Sequence, residues 1–188
     1  INRIKHIRSK HTYLINNKMA IRGSVMKANI AASDALSSNP SIVSRNLSFA
    51  TRVYEVSLVG KYSFLDLSTT FFTPYLIGGV AGFRFNPYAF ASDGSKQYLM
   101  PLSTEGQGLP QYPDQKKSNM WQMSLPLGGG LEFKLSDFFT AEIELAYRKT
   151  FTDYIDDVSK QYISSGILLA ERGPRAVEMA YRGGELPG

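Results

Sequence analysis

From Trp121 to Leu135 the chain reads WQMSLPLGGGLEFKL and keeps a period of two throughout. The odd positions are Trp121, Met123, Leu125, Leu127, Leu131, Phe133 and Leu135, interrupted only by Gly129. The even positions are Gln122, Ser124, Pro126, Gly128, Gly130, Glu132 and Lys134. Successive side chains of a strand point to opposite faces, so this pattern predicts one long strand with an apolar and a polar face. At about 3.3 Å per residue it would reach about 50 Å. Strands of soluble domains usually end after about five or six residues, whereas membrane-crossing strands need about ten.

Other segments repeat the pattern. Residues 52–65 place Tyr54, Val56, Leu58, Tyr62 and Phe64 on one face, with Glu55, Ser57, Lys61 and Ser63 on the other. Residues 71–86 group Phe71, Tyr75, Ile77, Ala81, Phe83 and Phe85, opposite Gly78, Gly82 and Arg84. Residues 138–151 oppose Ala141, Ile143, Leu145 and Tyr147 to Glu142, Glu144 and Arg148. A hairpin, 3–14 and 18–30, is expected to open the chain, although the alternation of its first arm is poor. The connections alternate in length. Asn16-Asn17, Asp66 to Thr70 (with Ser68) and Ser136-Asp137 are short, while 31–48, 87–119 and 151–188 are long. Asn, Asp and Ser suit tight turns because their side chains bond nearby backbone groups. Short turns at one end and long loops at the other mark an outer-membrane barrel.

The expectation is therefore an all-β, up-and-down antiparallel transmembrane β-barrel, a single domain over 1–188. About six strands of a full eight lie in this sequence, with the first and last strands outside it. The short turns would face the periplasm and the long loops, 151–188 included, the exterior. Hydrophobic content of 43% and mean hydropathy of −0.18 fit such a barrel as well as a soluble protein, since alternation hides the membrane signal. A soluble lipocalin-like barrel is the competing fold and would turn its apolar faces inward. The chain lacks a run of about 18 apolar residues, which argues against a transmembrane helix. It has no cysteine, so disulfide and thiol chemistry are excluded.

Side chains fill the interior of an eight-stranded barrel. The candidate lumen charges are Glu55, Lys61, Arg84, Glu132, Lys134, Glu142, Glu144 and Arg148. Buried charges are tolerated when paired, so a salt-bridged plug is the favoured reading over an ion or proton pathway. Pairing of Glu132 or Lys134 with Glu142 or Glu144 across the Ser136-Asp137 turn is one expectation. The net charge is +5, and Arg3, Lys5, Arg8, Lys10, Lys18, Arg22 and Lys27 all precede the first acid, Asp34. That cluster lacks the interleaved aromatics that nucleic-acid stacking needs, so no nucleic-acid partner is expected.

Signals for catalysis or metal binding are weak. His6 and His11, five residues apart, point to opposite faces of a strand and do not share a ligand. A histidine base for a lipid-modifying esterase would need a serine and a carboxylate in a triad, and no GxSxG elbow is present. Asp153, Asp156 and Asp157 lack the spacing of a calcium loop. Gly106-Gln107-Gly108 has no phosphate-loop context and reads as a turn. Residues 174–181 read as a short helix opened by Pro174. No catalytic residue, cofactor or metal is assigned.

The segments FFTPYLIGGVAGFRFNP (71–87), LSTEGQG (102–108) and YRKTFTDYIDDVS (147–159) resemble the PorG-type outer-membrane barrel of the Bacteroidota type IX secretion system. So do RNLSF (45–49), YEVSLVGKYSF (54–64) and LLAERGP (168–174), in order from about residue 13 to 176. The resemblance departs at residues 2–10, which are more basic, and the family's final strand is absent. It implies an eight-stranded, non-enzymatic barrel in the outer membrane. It also implies attachment from the periplasmic side to the ring of a PorK-like lipoprotein and a PorN-like protein, in the machine that exports cargo and supports gliding. The expected ring-contacting residues are those of the short turns, Asn16, Asn17, Asp66, Ser68, Ser136 and Asp137. The alternative is a stand-alone barrel that binds a ligand or surface partner through its long loops.

Overall fold

The structure, a computed structural model, describes residues 3–44, 46–115, 119–151, 163–182 and 184. One antiparallel sheet organises it. β1 (Arg3–Leu14), β2 (Met19–Ser33), β3 (Ser48–Ser63), β4 (Phe72–Phe90), β6 (Trp121–Lys134) and β7 (Thr140–Thr150) follow one another as spatial neighbours, and the short β5 (Lys96–Tyr98) adds to the end of β4. This is an up-and-down arrangement in which each strand pairs with the next long one. Among the described residues β1 and β7 are the two edges. The sheet curls enough that Arg8 and Lys10 on β1 reach Glu144 and Glu142 on β7 across its concave side.

The concave side is polar and the convex side apolar along most of the wall. On β3, Thr51, Val53, Glu55, Ser57, Val59, Lys61 and Ser63 are buried, while Tyr54, Val56, Leu58 and Tyr62 are exposed. β6 buries Ser124 and exposes Trp121, Met123, Leu125, Leu127 and Leu131. β7 exposes Ile143, Leu145 and Tyr147. A lipocalin-like interior would require the reverse. Exposed aromatics gather near both ends of the convex face. Tyr54, Phe90, Tyr98, Trp121, Tyr147 and Phe151 stand toward the loops, and Tyr13, Tyr62, Phe64, Phe71, Phe138 and Phe139 toward the turns. Tyr54 to Phe64 spans about 33 Å of strand, or about 25 Å along an axis inclined by 40°.

β4 departs from the expected orientation. Its Tyr75, Ile77, Ala81, Phe83 and Phe85 face inward, and Arg84 is exposed on the convex side. The strand carries apolar residues on both faces, with Leu76 and Val80 exposed outward. Periodicity alone therefore leaves its facing open, and pairing with β3 decides it. The strand interiors thus form two storeys. Phe83 and Phe85 make an apolar cluster with Ala28 and Val53 toward the loop end, and the charged side chains lie toward the turn end.

The glycines of β6 permit this packing. A Cβ on Gly130 would stand 2.2 Å from the Ile143 carbonyl oxygen and 2.7 Å from the Tyr75 hydroxyl. The loops build a cap that the sequence reading left largely as coil. Residues 31–48 contain a 3-10 turn (Asp34–Leu36) and α1 (Pro40–Val43), and α2 (Ser165–Arg172) precedes α3 (Pro174–Ala180). Met179 packs on Ala89, Ala91 and Leu99. Arg175 joins Asp93 at 2.6 Å and Glu178 at 2.8 Å, and Glu178 accepts from the Ser92 backbone N–H at 2.7 Å. Gly106 and Gly108 have φ of +82° and +71°, as a turn requires. Asp153, Asp156 and Asp157 lie outside the described residues.

Two outcomes follow from this packing. Gly130→Ala should destabilise the fold by about 2 kcal/mol, lowering Tm by about 4–8 °C. Gly60→Ala, whose added Cβ would meet its nearest atom at an ordinary 3.8 Å, should leave Tm nearly unchanged; thermal unfolding of both variants checks this. The cap should also loosen in acid. Hydrogen bonds from Ser95 and then Arg175 pull the Asp93 carboxyl down to about 2, and hydrogen bonds from Ser92 and then Arg175 lower that of Glu178. A depressed folded value gives stability that is complete above the unfolded value of about 4 and lost as pH falls toward the folded one. The protection of the Ser92 amide, its exchange rate relative to that of an unstructured amide at the same pH, should therefore hold above that pH and fall between about pH 4 and pH 2.

Candidate functional site: an ion-paired interior opening on the short-turn rim

The charged side chains converge because the curl brings β1, β2 and β3 opposite β6 and β7. Arg22, with 4% of its side chain exposed, donates to Glu142 at 3.0 Å and also to Glu144. Lys61 donates to Glu132 at 2.5 Å and lies 3.7 Å from Glu142. Arg148 grips Glu55 with two donors, Nε at 2.8 Å and an Nη at 3.1 Å, and Arg8 approaches the same carboxylate at 3.8 Å. Lys10 pairs with Glu142. The Tyr75 hydroxyl donates to Glu144 at 3.1 Å, and its ring lies 4.2 Å from the Lys61 ammonium.

This network differs from the expected one in its partners. Glu132 and Glu142 are directly opposed on adjacent strands, an arrangement of like charges that is unfavourable by itself. Lys61 resolves it by reaching both from β3, so the pairing runs through the interior and not along the β6–β7 hairpin. Lys134 turns instead to Asp137 at 2.9 Å. Arg84 takes no part, because it projects outward. Arg8, Lys10, Arg22 and Tyr75 are members that the sequence reading missed. The basic run at residues 3–27 was the signal for the three cations, but nothing local said which of its residues face inward.

Below the network the interior widens into an open cavity of about 750 Å³. All six turn residues expected to contact a partner line it: Asn16, Asn17, Asp66, Ser68, Ser136 and Asp137. Each turn is built by its own side chains. Asn16 Oδ1 accepts from the N–H groups of Lys18 and Met19, Asp66 accepts from the Ser68 N–H, and Ser136 Oγ accepts from those of Phe138 and Phe139. Asn17 donates to Asp66 at 2.7 Å and ties two turns together. Hydrogen bonds from Ser68 and then Asn17 hold the Asp66 carboxyl below the usual range, and Lys134 does the same for Asp137. Two anions therefore stand ready on the rim at neutral pH.

The chemistry available here is recognition and filling. Cations and carboxylates neutralise one another above the cavity, and the rim offers hydrogen-bonding groups in fixed geometry. Among the described residues no group of three or more His, Asp or Glu is placed to hold a metal ion. His6 and His11 fall on opposite faces of β1, opposite Ala28 and Gly23 respectively. No helix among the described residues is long and apolar enough to cross a membrane, which says nothing about crossing by strands.

Removing one partner of a buried ion pair leaves the other uncompensated. Arg22→Met should cost about 2 kcal/mol, less than a fully unpaired buried charge, because Glu144 loses its closest cation while Glu142 keeps Lys10 and Lys61. Arg22→Met combined with Glu144→Gln should recover part of that loss. Denaturant midpoints of the variants decide it, and an unchanged midpoint in Arg22→Met would mean that the network is not what holds the curl.

No curated protein and no solved structure matches the chain. One protein family does, over residues 10–164, which includes all the long strands except the start of β1. The chain belongs to the family described as Domain of unknown function (DUF6089).

Proposed function

We propose that this chain forms the wall of a closed transmembrane β-barrel of the outer membrane, eight-stranded in the full protein, and acts without catalysis as a structural component. The observation that carries the reading is the sorting of side chains: carboxylates and their cations are turned inward, and a broad apolar surface edged by aromatics is turned outward. Monomeric soluble proteins rarely expose contiguous apolar patches beyond a few hundred Å². The reverse sorting is what a bilayer selects, with an apolar band about 25 Å tall between aromatic girdles.

Within that reading, the barrel anchors the periplasmic ring of a type IX secretion machine, with a PorK-like lipoprotein and a PorN-like protein as partners. Two things support this. The segments at 71–87 and 147–159 resemble the PorG-type barrel, and the three short turns form one continuous rim around a polar cavity. A rim built from three turns is a better docking platform than three separate ones, because a partner can engage them together without ordering them. The folded loop cap favours a second reading, a stand-alone barrel that recognises a ligand or surface partner with α2, α3 and the 87–115 segment.

The two readings separate in one experiment. Asn17→Ala, Ser68→Ala and Asp137→Ala, combined in the full-length protein, should leave its level in the membrane unchanged. Recovery of the ring lipoprotein in mild detergent should fall about tenfold or more, as expected for the loss of interface anchors. Full ring recovery with the altered rim would contradict the docking assignment, and loss of partner binding only after alteration of the cap would favour the second reading.

A further inference from the structure

The convex face carries charge that neither the interior network nor the rim uses. Glu55, Glu132, Glu142 and Glu144, the carboxylates of the long strands, are all paired inside. Lys27, Arg52, Arg84 and Lys96 instead point outward and are exposed. The first three are neighbours by register. Lys27, Tyr54, Arg84 and Trp121 form one cross-strand row, and Asn29, Arg52 and Asn86 form the next. Lys96 lies over the rings of Tyr88 and Tyr98 at 3.8 and 4.7 Å. Arg52, Arg84 and Lys96 line one recess of about 200 Å³ with Tyr54, Asn86 and Tyr88. Arg52 donates to Asn29 at 3.4 Å, and among the described residues none of the four cations has a carboxylate partner.

Immediately toward the turns lies an apolar slot. Val25, Val56 and Gly82 form the next row, and Gly23, Leu58 and Val80 the one after. All six line a depression of about 480 Å³. A Cβ on Gly23 or on Gly82 would meet nothing within 4 Å, so the floor is open to an external occupant. Crowded cations without a counter-charge call for an anion, and an apolar slot one row away calls for a hydrocarbon chain.

We propose that this wall lodges a membrane lipid bearing a phosphate monoester, with the phosphate among Arg52, Arg84 and Lys96 and an acyl chain in the slot over Gly82. Guanidinium forks match phosphate oxygens two at a time, and aromatic residues beside them suit the boundary between headgroup and chain. The inference rests on the lipid-facing reading of the convex face, and its site is at the loop end, away from the ring-docking rim.

Trp121 is the chain's one tryptophan, is 63% exposed and is the register neighbour of Arg84, so it reports on the site directly. The purified full-length protein, with any tryptophan other than Trp121 replaced by phenylalanine, is placed in bilayers containing phosphatidic acid or phosphatidylcholine with brominated acyl chains, which quench a neighbouring indole. Phosphatidic acid should quench Trp121 at a much lower mole fraction than phosphatidylcholine. Each cation removed should reduce that preference about fivefold. Arg52→Gln with Arg84→Gln should nearly abolish it, Lys96→Gln alone should weaken it, and Gly82→Leu should weaken phosphatidic acid by filling the slot. Equal quenching by the two lipids, or a preference that survives loss of both arginines, would overturn the lipid site while leaving a lipid-facing wall. Absence of quenching by either lipid would instead overturn the wall reading on which the site depends.

Discussion

Everything in this structure depends on the neutralisation of four inward carboxylates by cations from the opposite side of the curled sheet. Glu132 and Glu142 face one another on neighbouring strands, and Glu144 follows two residues later. Alone, such a cluster would repel and draw water inward. Lys61 from β3, Arg22 from β2 and Arg8 and Lys10 from β1 supply the opposing charge. Lys61 is 71 residues away from Glu132, and Arg22 is 120 and 122 residues away from Glu142 and Glu144. Satisfying them requires the curl, and the curl sets which residues face outward. A buried ion pair is weak evidence for stability in itself. Here its value is register, because a one-residue slip of β3, β6 or β7 would turn that strand's carboxylates to the convex face.

The two storeys of the interior divide the labour. Phe83 and Phe85 with Ala28 and Val53 fill the loop half by apolar packing, where α2, α3 and the 87–115 segment add a cap. The turn half is held by ion pairs and opens into the rim cavity. Tight backbone contacts at Gly79, Gly128 and Gly130 belong to the same design, since a side chain there would strike the neighbouring strand.

Much of the wall was legible in the sequence because the period of two is a local property. Residues 121–135 announced β6, and residues 52–65 announced β3 with its correct facing. Short turns were legible from Asn, Asp and Ser at 16–17, 66–68 and 136–137. β4 was legible as a strand but not in its orientation, since Leu76, Val80, Phe83 and Phe85 are apolar on both sides and only pairing with β3 settles which side is in. The ion-pair partners were not legible either, because Glu132 meets Lys61 through the interior at a sequence distance that no pattern encodes. The missed α2 lacks a side-chain cap and draws its order from burying Leu168, a tertiary effect. Arg84, expected inside, became informative by being outside.

The central claim is that the convex face lies against lipid while the concave face is closed to it. Residues 1–188 contain no cysteine, so single cysteines carrying a nitroxide label are introduced one at a time at residues 54 to 61 of β3, in full-length protein with any other cysteine replaced by serine, in bilayers. Collision with dissolved oxygen and with a water-soluble nickel complex is then measured at each site. Labels at positions 54, 56, 58 and 60 should meet oxygen freely and nickel rarely, while those at 55, 57, 59 and 61 should be shielded from oxygen. Labels at the even positions that meet nickel as freely as a label on an exposed loop would place the convex face in water and contradict the account.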